Sequence, residues 1–439
     1  MSRRTERVPE RVEIVDLTHD GRGVAKTQGK TFFVDGALPG ETVDAVRVRR
    51  KRNYDEGRVI SLVVSAADRV KPMCPHFGVC GGCSLQHLAG EAQLRAKQKT
   101  LQENLRRIGN NVEPIRFLEP ISGPPTGYRR RARLGVRFVK GKGRVLAGFR
   151  ERFSSFVADI ESCPVLAGPA DALVKPIAEL IGALSLRQRV PQVEISVGDN
   201  RTALVFRVLD DPTDADLDEF RRFREQHDVD VYLQRGGLDT VEALDGLSTP
   251  LEYTLPGFEL TFRFLPTDFI QVNADINRQM VSKAIELLSP GSDDNVLDLF
   301  CGLGNFTLPI ARSGAVVVGI EGDETLVERA RKNAAGNAVG GVEFHVANLF
   351  ADCEDLEWAN RKYDAVLLDP PRAGAREILP VIARSEARRV VYVSCNPGTL
   401  ARDVGILVDQ YGFQLEGAGV MDMFPHTAHI ESIALLTRH

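Results

Sequence analysis

Seven cysteines, an acidic residue close to the C-terminus and one glycine-rich turn are the groups of this 439-residue chain best suited to chemistry. Cys395 follows the strand-like residues 390–394 and opens Cys395-Asn396-Pro397. Its thiol should therefore stand at the carboxyl end of a buried parallel strand, where open α/β sheets keep their reactive groups. A thiolate there is a nucleophile, although a single cysteine at a strand end is also a common small apolar filler. Three more, Cys74, Cys80 and Cys83, share one stretch with C-x5-C-x2-C spacing, and Cys163 in Glu161-Ser162-Cys163-Pro164 could complete a set of four. Four thiolates suit zinc or an iron–sulfur cluster, and spacing does not choose between them. An odd cysteine total argues against a disulfide framework and for a reducing compartment.

The elements that must hold Cys395 fill about the last 170 residues, where strand and helix signals alternate as in a doubly wound, Rossmann-like parallel sheet. Its first strand carries Asp298 and runs into Phe300-Cys301-Gly302-Leu303-Gly304-Asn305-Phe306. The glycines let the backbone turn sharply beside a ligand, and Glu321 ends the next strand 19 residues after Gly302, where a carboxylate reaches ribose hydroxyls. The third glycine of the dinucleotide fingerprint is missing from Asn305-Phe306-Thr307. The turn instead resembles the class I S-adenosylmethionine-dependent methyltransferase motif. Asn348 follows the strand-like residues 342–346, and Asp369-Pro370-Pro371-Arg372 follows another such run. This last motif resembles the D-P-P-Y loop of amino-methylating enzymes, but arginine replaces the aromatic residue, which argues against an exocyclic nitrogen as acceptor.

The preceding chain reads as two further regions. Residues 1–68 alternate short strands with glycine turns, as a small β-barrel does, with Phe32, Phe33 and Tyr54 as candidate aromatic platforms beside the basic run 47–52. They resemble the TRAM domain, an OB-like RNA-binding barrel. Residues 69–266 read as a central α/β domain bearing the four cysteines, with a helix over 89–110 that could pack on the catalytic domain, residues 267–439. Net charge is only −4, yet residues 89–150 hold 15 Lys and Arg against 4 Glu, a local excess of 11. Arg131, Arg133 and Arg137 alternate with Ala132, Leu134, Val136 and Phe138, so a strand there would present guanidiniums on one face, as phosphate contacts require. A polyanionic partner is expected. No apolar run reaches membrane-spanning length and the first seven residues lack the apolar core of a signal peptide, so a cytoplasmic, soluble protein is expected.

A nucleophilic thiol beside a methyl-donor fold suits one kind of acceptor. Carbon 5 of uracil is a poor nucleophile until a thiolate adds to carbon 6, and a base must later remove the carbon-5 proton so that the thiolate can leave. Glu431, in Phe424-Pro425-His426-Thr427-Ala428-His429-Ile430-Glu431, is placed to be that base. With Phe269-Ile270-Gln271-Val272-Asn273, Asp298 to Asn305, Asp369 to Arg372 and Ser394 to Pro397, these motifs resemble the RNA uracil-C5 methyltransferases over nearly the whole chain. The TRAM-like start and the cysteines resemble the branch that acts on 23S ribosomal RNA and carries a [4Fe-4S] cluster.

That resemblance implies Cys395 as nucleophile and Glu431 as base. It implies Gln271, Phe300, Asn305, Glu321, Asn348 and Asp369 around S-adenosyl-L-methionine, and Cys74, Cys80, Cys83 and Cys163 around the cluster. The product would be 5-methyluridine in 23S rRNA, made by a monomer with no obligate protein partner and no membrane attachment. A tRNA uridine as substrate, cytosine-C5 methylation, and an inactive iron–sulfur RNA-binding protein are the alternatives.

Overall fold

Val43, Ala45, Phe32 and Val34 face one way along alternating strands and are fully or almost fully buried, which is what a period-2 pattern with one covered face produces. The computed structural model describes residues 8–27 and 29–438; Met1–Arg7, assessed above for a signal peptide, lie outside the described residues. The chain divides into two compact units. The first comprises Met1–Thr100, Arg150–Phe156 and Phe424–His429. The second comprises Leu101–Phe149, Val157–Met423 and Ile430–His439.

The first unit is built on a six-stranded sheet. The strands Glu10–Glu13 and Asp16–Leu17, almost continuous in the chain, are its two opposite edges, paired antiparallel with Thr42–Arg50 and Gly23–Thr27 respectively. One expected aromatic platform is corrected. Phe32 is a core residue at 0 % exposure, under the Arg47 guanidinium at 4.9 Å. Phe33 and Tyr54 remain half-buried neighbours, ring centroids 5.3 Å apart, with Arg22 over Phe33. Arg47 is held by Glu10, Asp55 and Thr27, whereas Arg49, Arg50, Lys51 and Arg52 are exposed.

The second unit carries a six-stranded central sheet, an eight-stranded catalytic sheet and the two-stranded pair Leu251–Leu255 and Leu260–Phe264. The central one orders its strands Val241–Ala243, Asp230–Gln234, Thr202–Arg207, Gln192–Val197, Arg131–Val139 and Arg144–Gly148. In Arg131–Val139 the burial alternates as the sequence pattern requires, Ala132, Leu134 and Val136 pointing inward. The arginine face is less open to phosphates than the pattern suggests. Arg131 and Arg133 both pair with Glu194 across the sheet, and Arg130 pairs with Asp199 at 2.5 Å. The acidic helix Asp214–His227 starts at a Thr213–Asp216 capping box and buries Phe220 and Phe223.

The catalytic sheet has eight strands in the order Val342–Val346, Val316–Glu321, Asn295–Leu299, Ala365–Leu368, Arg389–Ser394, Glu431–Thr437, Gln414–Met421 and Arg116–Phe117. The first five are mutually parallel and read as near-continuous apolar runs because helices cover both faces. The sheet is mixed rather than wholly parallel. Glu431–Thr437 runs antiparallel to both of its neighbours, since the short loop before it returns the chain directly instead of through a crossover helix. In the same core, Leu101 and Leu105 of the helix Gly90–Arg107 are buried against the shell that holds Tyr392, Leu400 and Val404.

Candidate active site

Cys395 is the first residue beyond the strand Arg389–Ser394, and Asn396 then caps the helix Pro397–Tyr411 by accepting the Gly398 N–H at 3.0 Å. Proline at the first helical position fits a turn that begins a helix, so the sequence Ser-Cys-Asn-Pro itself fixes where the thiol stands. The register fixes its neighbour. Ser394 pairs with Ser432 in the antiparallel ladder, so the next residues outward, Cys395 and Glu431, stand opposite one another at the sheet's edge of chemistry. The Ser432 hydroxyl ties the two strands together by donating to the Ser394 carbonyl at 3.1 Å.

The carboxylates at these strand ends share a dry environment. Burial pushes Glu431 well above the usual carboxylate range, nearby Asp369 adds to the rise, and Arg372 opposes it. Burial likewise raises Asp369 to about 7, against the pull of the Gln271 amide, which donates to its Oδ2 at 3.3 Å. The Cys395 thiol is pushed up to about 11, first by burial, then by the charges of Glu431 and Asp369, with Arg372 again opposing. Arg372 thus favours the ionised forms of both the thiol and the carboxylate.

The glycine turn lies on the same sheet end. Phe300, Gly302 and Gly304 all adopt left-handed backbone, at φ of 63°, 53° and 88°, and a methyl group placed on Gly302 would meet no atom within 4 Å. A non-glycine residue in that conformation is strained, and the open face above Gly302 leaves room for a ligand beside the backbone. Glu321 is pinned beneath it. Its Oε2 accepts the Gly302 N–H at 3.1 Å, and its Oε1 accepts those of Gly322 and Asp323. Oε1 is thereby saturated, and Oε2 keeps one acceptor site for a hydroxyl. Asp298, wholly buried, accepts from Thr307 at 2.5 Å through Oδ2 while its Oδ1 has no partner among the described residues; burial lifts it to about 7. The orphaned oxygen, the open glycine face and the pinned acid fit S-adenosyl-L-methionine.

The remaining candidates are placed as follows. Phe300 and Phe350 meet at 5.7 Å between ring centroids, next to Asn348, whose Oδ1 accepts the Phe350 N–H. Asn305 is engaged in the protein. Its Oδ1 accepts from Tyr253 and Asn277, and its amide donates back to Asn277. Tyr253 and Asn277 carry no motif that could have drawn attention to them. Phe269 is two-thirds exposed. Cys74, Cys80 and Cys83 lie in the first unit and Cys163 in the second, none of them in a disulfide. Burial raises the Cys80 thiol, against the Gly82 N–H that it accepts at 3.4 Å, and Cys74 adds to the rise. The donor set suits a thiolate-ligated group, but among the described residues no set of three or more His, Cys, Asp or Glu side chains is gathered closely enough to hold a metal ion.

A parallel sheet that closes on one reversed hairpin, and that turns on strained backbone beside an acidic strand end, defines the class I S-adenosylmethionine-dependent methyltransferases. Comparison narrows the class. The family described as tRNA (Uracil-5-)-methyltransferase matches residues 91–439, and the TRAM domain matches residues 3–60. The 23S rRNA (uracil(1939)-C(5))-methyltransferase RlmD of Methylococcus capsulatus is 52% identical over 431 residues, 98% of this chain and 97% of the relative. The protein of the same name from Alkalilimnicola ehrlichii is 50% identical over 437 residues, 99% and 98% of the two chains. The crystal structure of Pyrococcus abyssi tRNA (uracil-54, C5)-methyltransferase with S-adenosyl-L-homocysteine superposes with a TM-score of 0.75 at 27% identity, covering 97% of this chain and 99% of the other. The chain belongs to the RNA uracil-C5 methyltransferases, and it carries a TRAM domain.

Proposed function

We propose that this enzyme methylates carbon 5 of one uridine in 23S ribosomal RNA, the activity named for its full-length relatives, and that it does so through a covalent bond between Cys395 and carbon 6 of the base. The observation that carries the mechanism is the register that sets Cys395 opposite Glu431. Addition of the thiolate to carbon 6 pushes the ring electrons towards carbon 5 and oxygen 4, making carbon 5 nucleophilic. S-adenosyl-L-methionine supplies an electrophilic methyl group on a sulfonium. Glu431 then takes the proton from carbon 5, the electrons re-form the ring double bond, and Cys395 departs as thiolate. A carboxylate whose proton affinity is raised by burial is a stronger base, which suits this removal.

Gln271, Phe300, Asn305, Glu321, Asn348 and Asp369 are the proposed donor-site residues. Glu321 would accept a ribose hydroxyl through Oε2, and Asn305 would act in the orientation set by its hydrogen bonds with Tyr253 and Asn277. Cys74, Cys80, Cys83 and Cys163 are the proposed ligands of a [4Fe-4S] cluster; no step of methyl transfer passes through it, and iron and sulfide analysis of anaerobically purified protein tests it. Residues 1–68 would serve as the OB-like RNA-binding barrel, 69–266 as the central domain and 267–439 as the catalytic domain of a cytoplasmic monomer. No helix among the described residues is long and apolar enough to cross a membrane.

The substrate is tested by mapping 5-methyluridine in 23S rRNA and tRNA from cells lacking the protein. Loss of one modified uridine in 23S rRNA alone is expected. Loss confined to tRNA would replace the substrate while leaving the chemistry intact.

A further inference from the structure

In the first unit the loop Arg150–Phe156 presents two large apolar rings to solvent. Phe153 is 66 % exposed and Phe156 is 71 % exposed. The loop that displays them is ordered by its own hydrogen bonds. Glu151 N–H donates to the Phe156 carbonyl at 2.8 Å, the Ser154 hydroxyl donates to Glu151, and Phe156 N–H donates to Ser154 Oγ. It is also fastened to the cysteine stretch, because Gly81 N–H donates to the Arg150 carbonyl and Arg152 N–H to the Val79 carbonyl, both at 2.8 Å. Val79 is itself 56 % exposed. Cations flank the rings. The Arg152 guanidinium lies 5.8 Å from the centre of the Phe153 ring, and Arg150 is exposed.

Exposed phenylalanines on a braced loop require an explanation, since solvent contact with each costs free energy that burial would recover. Each ring offers on the order of 100–150 Å². Together with Val79 this falls well short of the roughly 800 Å² per partner of a stable protein interface, but it matches the face of one or two nucleobases. The local charge points the same way, because the loop begins at the end of the stretch with an excess of 11 positive charges.

We propose that Phe153 and Phe156 form a stacking platform for unpaired bases of the RNA substrate, with Arg150 contacting the adjoining phosphate. Base stacking on aromatic rings is sequence-tolerant and insensitive to salt, whereas the phosphate contact is salt-dependent. The platform would therefore position RNA rather than select a sequence. This inference rests on the reading of the chain as an RNA methyltransferase.

The test measures methylation kinetics and binding of a 23S rRNA fragment by full-length protein carrying Phe153→Ala, Phe156→Ala, both changes, or Phe→Trp at both positions. Alanine at both sites is expected to raise KM and the RNA dissociation constant on the order of 10- to 100-fold, with kcat at saturating RNA unchanged. The slope of affinity against salt should stay the same, tryptophan should restore binding, and Arg150→Gln should reduce the slope by about 1. Unchanged RNA affinity in the double alanine variant would overturn the platform. So would loss of self-association in that variant without loss of RNA binding, which would assign the rings to a second copy of the chain. Failure of the unmodified enzyme to methylate the fragment would instead count against the substrate reading.

Discussion

Two cysteine sites in this chain are built on opposite principles. Cys395 is fixed by the backbone: a strand delivers it, a capped helix begins behind it, and an antiparallel ladder sets Glu431 across from it. Cys74, Cys80 and Cys83 sit in a segment of turns and isolated bridges, with an N–H donated to Cys80 and, among the described residues, no gathered ligand set. Regular structure can aim a side chain without help from a ligand. Backbone hydrogen bonds of turns hold the three-thiol stretch, among them Phe77 N–H to the Cys74 carbonyl and Cys80 N–H to the His76 carbonyl, so what a bound group would add is the gathering of the sulfurs.

This contrast is broken or sharpened by substitution, beginning where the effect is greatest. Cys395→Ala should reduce methylation on the order of 10⁴-fold or more while the melting temperature stays within a few degrees of the parent. A comparable rate in the variant would remove the nucleophile from the mechanism. Glu431→Gln should slow turnover by about 10²- to 10⁴-fold, and the RNA-bound adduct should accumulate on denaturing gels because its resolution, not its formation, is impaired. An adduct that neither accumulates nor slows in turning over would relieve Glu431 of the base role. At the other site, Cys80→Ser should lower iron content and melting temperature but leave kcat within about tenfold, since no bond to the methyl group is made there. A loss of kcat as deep as that of Cys395→Ala would show the two sites to be chemically coupled.

The smallest effect concerns Asp298. Its carboxyl titrates near 7 in the fold because it is buried, against about 4 in the unfolded chain. The folded state therefore holds the extra proton between those values, and the stability this contributes is full below pH about 4 and is lost as pH rises through about 7. Asp298→Asn cannot ionise, so the melting temperature of the variant should gain on that of the parent across this window. Parallel melting curves at every pH would contradict the assignment.

Much of the catalytic sheet is legible in the sequence because its signals are local. A strand, a glycine turn and an acid 19 residues on lie within one βαβ unit, and the Ser-Cys-Asn-Pro cap lies within four residues. What the sequence hides is long-range. That Cys395 and Glu431 leave the sheet at the same end depends on the Ser394–Ser432 register between strands separated by a helix, a strand and a loop. The Asn305 contacts reach Tyr253 and Asn277, 52 and 28 residues away, and neither partner carries a motif. Phe32 and Phe33 are adjacent aromatics, and only the direction of the pleat decides that the first fills a core while the second faces Arg22. Arg131 and Arg133 look like a bare cationic face until the neighbouring strand supplies Glu194.

The most direct measurement mixes the enzyme with S-adenosyl-L-methionine and RNA carrying 5-fluorouridine at the target, denatures the mixture and weighs the product by mass spectrometry. Fluorine cannot leave as a proton does, so a trapped species is expected with the mass of enzyme, RNA and one methyl group less the thiol proton, joined through the peptide that contains Cys395. RNA that is methylated with no such species, or a crosslink mapped to another residue, would contradict it.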